Sequence, residues 1–61
     1  MKTNDIVSPA HLATRRDRAV AAKRAGNIGA LMKEYAWVGL RVGYDRMLLM
    51  AQEVNRLVKA Q

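Results

Sequence analysis

From Asn27 to Lys59 the apolar residues fall into two seams of alternating three- and four-residue spacing on opposite sides of one helix. Ile28, Leu31, Tyr35, Val38 and Val42 form one seam; Trp37, Leu40, Tyr44, Met47, Ala51, Val54 and Val58 form the other. At about 100° per residue the mean directions of the seams differ by roughly 180°. A continuous helix of this kind cannot bury both seams against one short neighbour, so it needs two packing surfaces. That requirement points to an oligomer or to a protein that binds a partner.

Length sharpens the point. A chain of 61 residues makes one domain and commonly needs a staple or a second copy to be stable. It has no cysteine, so disulfides and thiolate metal sites are excluded, and association is the remaining route. With 51% hydrophobic residues the chain is too apolar to stay unfolded, while eleven Lys and Arg against five Asp and Glu give a net charge of +6. A folded protein with a positive exterior is expected. The polar start Met1-Lys2-Thr3-Asn4-Asp5 offers no signal-peptide core, and no uncharged run approaches the ~18 residues of a membrane span. A cytoplasmic, soluble protein is the corresponding expectation.

Local signals divide the chain into a flexible arm at 1–7, a basic helix at 9–25 and a long apolar helix at 27–60. Ser8 can cap the first helix and Pro9 loses no hydrogen bond at its first position. Ala and Arg dominate Ala10 to Ala25, Gly26 supplies a left-handed stop, and Asn27 can cap the second helix. The expected fold is all-α: a two-helix hairpin, one short basic helix and one long apolar helix, assembled as a helical-bundle homo-oligomer. The polar residues of the long helix collect in a stripe of Glu34, Arg41, Asp45, Gln52, Arg56 and Lys59, with Arg41 and Asp45 spaced as an ion pair. Gly39 and Gly43 form a G-x-x-x-G pair whose groove suits the alanine-rich first helix.

The same glycines permit an alternative. If the chain bends at Gly39 or Gly43, the two seams turn toward one core and the fold becomes a three-helix domain with helices near 9–25, 28–42 and 45–60. A third arrangement rests on the arm followed by Pro9, Leu12, Val20 and Gly26-Asn27-Ile28, which resembles the strand, helix and turn of ribbon-helix-helix proteins. The arm lacks that family's strand alternation and the second helix runs longer.

Nothing in the chain has the pattern of a catalytic or metal site. His11 is the single histidine and is expected at the surface or in a capping role. The acids Asp5, Asp17, Glu34, Asp45 and Glu53 are dispersed, and neither a phosphate loop nor a nucleophile beside a base is present. A non-enzymatic protein with no cofactor, metal or small-molecule substrate is expected.

Charge and surface remain. Arg15, Arg16, Arg18, Lys23 and Arg24 put five positive charges in ten residues, which suits phosphate contact through counterion release. The favoured reading is a small dimeric regulator whose basic first helix holds DNA or RNA. The alternative is a protein inhibitor or adaptor that docks its long apolar helix on a host protein, the charge serving an acidic surface. Either way the expected contact residues of the long helix are Trp37, Leu40, Tyr44, Met47, Met50, Val54 and Val58, with aromatic anchors and adaptable methionines among them. The run Met47-Leu48-Leu49-Met50 is apolar in nearly every direction and is expected to be buried by another chain. Adsorption to an anionic membrane is the least supported of the binding modes.

Overall fold

At Gly43 the backbone takes φ 136° and ψ 157°, a conformation open to glycine and essentially closed to other residues, and the chain turns back on itself. The computed structural model describes residues 9–60, which form three helices: α1 Pro9–Ala25, α2 Ile28–Arg41 and α3 Tyr44–Lys59. The long helix over 27–60, and with it the two-helix hairpin, is therefore not what forms. The bent, three-helix alternative is, with ends within a residue of those expected. One interior glycine costs a helix only about 1 kcal/mol, whereas the turn brings both apolar seams onto a common core. The proposed arm at 1–7 and the Ser8 cap lie outside the described residues. Among the described residues there is no strand.

Both connections are two residues long and are closed by the backbone. The Gly26 N–H donates to the Lys23 carbonyl at 3.1 Å and the Asn27 N–H to the Ala22 carbonyl at 2.9 Å, with Gly26 at φ 73°. This is the paired bonding of a Schellman ending. The Asn27 side chain then accepts from the Ala30 N–H at 3.1 Å and caps α2, as expected. At the second connection the N–H groups of Val42 and Gly43 both return to the Val38 carbonyl, at 2.8 and 3.2 Å.

Each helix packs against both others. Leu31 and Val38 of the first seam and Val54 of the second meet in the centre, joined by Met50 from α3 and by Ala19, Val20 and Ala22 from α1. Leu12, Tyr35, Trp37, Met47, Leu57 and Val58 close around them. α1 contributes little apolar volume, but Ala19 and Ala22 let it approach closely. The G-x-x-x-G groove is used differently from the expectation. A Cβ on Gly39 would lie 3.9 Å from Met47, so α3 faces this glycine, and Gly43 forms the turn.

Candidate functional site

On α1, His11, Arg15 and Arg18 recur at helical spacing and face Glu34 and Trp37 of α2. The Arg15 Nη1 donates to Glu34 Oε1 at 3.0 Å, and the Arg18 Nε lies 3.7 Å from Glu34 Oε2. The Arg15 guanidinium carbon also sits 4.1 Å from the centroid of Trp37. The His11 ring stacks on the same tryptophan, centroids 4.7 Å apart and planes 8° from parallel, and Arg41 approaches it at 5.4 Å. A ring whose face carries negative quadrupole attracts the two guanidinium cations. Trp37 is thus a platform for basic side chains, and His11 packs on it instead of simply facing solvent.

Glu34, expected on a solvated polar stripe, is buried. The stripe belonged to a continuous helix. Once α2 ends at Arg41, Glu34 turns toward α1, and none of the ion pairs among the described residues joins Arg41 to Asp45.

The five basic residues singled out from the sequence consequently divide. Arg15 is committed to Glu34 and Trp37. Arg16 pairs with Asp17 at 3.1 Å and reaches Glu53 of α3 at 3.6 Å, tying α1 to α3. Arg18, Lys23 and Arg24 are exposed along α1. Whereas exposed Lys33 stands on α2 beside Gly29 and Ala36, exposed Arg41 of α2, and Arg46 and Arg56 of α3, join that side of the molecule, although a reading centred on α1 passed over them. Their signal in the sequence was their spacing relative to the core positions, which the break at Gly43 resets.

The residues expected at a contact with another chain also separate. Met50 and Val54 are inside the protein's own core, and Met47 and Val58 lean on it. Trp37 is half-buried beneath Arg15. Leu40 and Tyr44 are open, 87% and 65% exposed, and with them stand Ile28, Met32, Leu48 and Leu49. On α2, Ile28, Met32, Ala36 and Leu40 form a row at four-residue spacing, flanked by Gly29 and Gly39; on α3, Tyr44, Leu48 and Asn55 form its neighbour. Gly39 and Met47 mark the α2–α3 contact, so these rows lie on the side of that contact away from α1. The rows themselves are uncharged; exposed Lys33 borders the α2 row beside Gly29 and Ala36, and exposed Asp45 borders the α3 row beside Leu48.

Leu49 points elsewhere, into a shallow groove of about 280 Å³ between α1 and α3 that Pro9, Leu12, Val38 and Met50 also line. Burial raises the pKa of the Tyr35 hydroxyl above its ordinary value. Among the described residues, no three His, Cys, Asp or Glu side chains gather as metal ligands, and no helix is long and apolar enough to cross a membrane. Compared with protein families, curated proteins and solved structures, the chain finds no significant match.

Proposed function

We propose that this protein acts by stoichiometric binding, without turnover, and that it holds a nucleic acid on the positive side built around α1. The observation that supports this is the segregation of charge. Arg18, Lys23 and Arg24 are exposed on α1 with Arg41 and Arg56 on its flanks, while the outer α2–α3 face is mainly apolar and its bordering Lys33 and Asp45 are opposite in sign. A phosphate backbone meeting the α1 side releases counterions as those groups replace them. No aromatic side chain stands exposed on α1, so backbone contact rather than base stacking is the mode.

Fluorescence anisotropy with generic duplex DNA and RNA tests this reading. Association at micromolar or tighter concentration in low salt is expected, weakening steeply as salt rises. Replacing Arg18, Lys23 and Arg24 together by Ala, all exposed, should lower the slope of log K against log salt by about 3, near 0.9 for each phosphate no longer neutralised. Absence of binding at low salt ends the proposal.

A second reading draws on the internal commitment of Arg15 and Arg16 together with the 87% exposure of Leu40. In it the protein is an inhibitor or adaptor that docks its α2–α3 face on another protein. Leu40→Asp would then abolish capture of that protein, while the triple α1 variant would not.

A further inference from the structure

We infer that the apolar α2–α3 face is the surface on which two copies of this chain pair. Ile28, Met32, Leu40, Tyr44 and Leu48 are 40–87% exposed on it. At about 100 Å² each they present on the order of 500 Å², near the top of what a lone protein ordinarily leaves in water as one patch. With the small residues between them the face approaches the roughly 800 Å² per partner of a standard interface.

Charge selects the occupant. Each copy carries +6, and its basic groups lie mostly on the α1 side, so most approaches of one copy to another oppose like charges. On the α2–α3 face the charges before Lys59 are Lys33 and Asp45 at its margins, of opposite sign, so a second copy meets little net repulsion there. A partner recognised through acidic groups would find its complement on the other side of the molecule. The face is also self-complementary in size: Met32 and Leu40 are projections, while Gly29, Ala36 and Gly39 beside them are depressions. A twofold interface needs both on each copy, since every contact occurs twice. Rows at four-residue spacing are the ridges by which two helices interlock at a steep angle. Pairing in this way leaves both α1 helices on the outside, so the dimer doubles the positive surface without covering it.

Sedimentation equilibrium on the full chain is the test, with circular dichroism on the same samples. Wild type is expected at twice its 6.8 kDa mass at tens of micromolar. Leu40→Glu and Met32→Glu should each weaken self-association by about 100-fold with helicity unchanged, because neither side chain belongs to the core. A wild type that stays monomeric at about 200 μM, or a dimer indifferent to both variants, overturns the inference. Cysteine scanning gives an independent check, since the chain has no cysteine of its own. A short bis-maleimide should join copies of Ala36→Cys much faster than copies of Ala21→Cys, whose position is exposed on α1. Equal rates would also overturn it. Nucleic-acid binding uses the opposite side, so either proposal can fail while the other stands.

Discussion

Arg15 and Glu34 meet 3.0 Å apart across the α1–α2 seam, and theirs is the most enclosed ion pair among the described residues, with side chains 20% and 11% exposed. The Nε of the same arginine is buried without a hydrogen-bond partner. Enclosed pairs of this kind contribute little over an apolar replacement, but removing one partner strands the other.

Glu34→Gln should therefore destabilise the fold by about 2–3 kcal/mol, somewhat less than the loss of a wholly buried pair. Replacing both residues, Arg15→Met with Glu34→Leu, should recover most of that loss. Urea unfolding followed by circular dichroism measures both. A Glu34→Gln protein as stable as wild type would mean that the pair is solvated. Arg15→Ala is for this reason an ambiguous probe of nucleic-acid binding, whereas Lys23 and Arg24 can be changed without touching the seam and the more exposed Arg18 gives up only its 3.7 Å approach to Glu34.

Two glycines four residues apart should respond with opposite signs. At Gly43 an alanine must adopt a positive φ of 136°, costing about 1–3 kcal/mol although nothing stands within 4 Å of its Cβ. At Gly39, inside α2, the added Cβ would make ordinary contact with Met47 at 3.9 Å, so Gly39→Ala should stabilise the isolated chain by about 0.5–1 kcal/mol. Thermal unfolding of the two variants side by side would contradict this account if both fell equally.

Core and surface leucine-sized side chains should part sharply. Val54, with no exposure, should cost about 2 kcal/mol on truncation to Ala through reduced burial and the cavity left behind. Leu40→Ala should change the stability of the monomer by less than about 0.5 kcal/mol, its side chain being already in water. Measuring Leu40→Ala at several protein concentrations separates this intrinsic effect from any contribution of pairing.

Alkaline pH should weaken the fold through Tyr35. Its folded-state pKa lies above the ordinary 10.0 because burial disfavours the phenolate. Below pH 10 both folded and unfolded chains keep the proton, and stability is at its full value. As pH rises past 10 the unfolded chain ionises first, so stability falls until the folded-state pKa is also passed. The difference between wild type and Tyr35→Phe in denaturant midpoint isolates this loss from the titration of lysines. A difference that stays constant from pH 8 to 11 would contradict it.

The limits of α1 and the start of α2 are legible in the sequence because each rests on residues with one strong habit: Pro9 at the first turn of α1, Gly26 in its left-handed stop, Asn27 as the cap of α2. The break at Gly43 was legible only as an alternative. A helix tolerates one glycine at modest cost, and the pattern of seams is the same whether they face two partners or one folded core. Once the wrong side of that choice is taken, positions both before and after the glycine acquire the wrong neighbours. Glu34 then reads as solvated and Met50 as a contact for another chain, although the first pairs with α1 and the second fills the protein's own interior. α1 misled for a different reason. Ala19 and Ala22 add little hydrophobic area, but their small size is what permits close approach. The role of Trp37 beneath His11, Arg15 and Arg41 depends on contacts across the seam, which no local pattern encodes.

The two-residue connections have a kinetic consequence. Each helix meets its successor after almost no intervening chain, so little loop entropy is lost before neighbouring helices touch. A bundle wired this way should reach its native state in microseconds to milliseconds, with no slow search for distant pairings. Newly made copies would then spend little time with Val38 and Val54 uncovered, which limits the interval for aggregation in a chain with so much apolar surface.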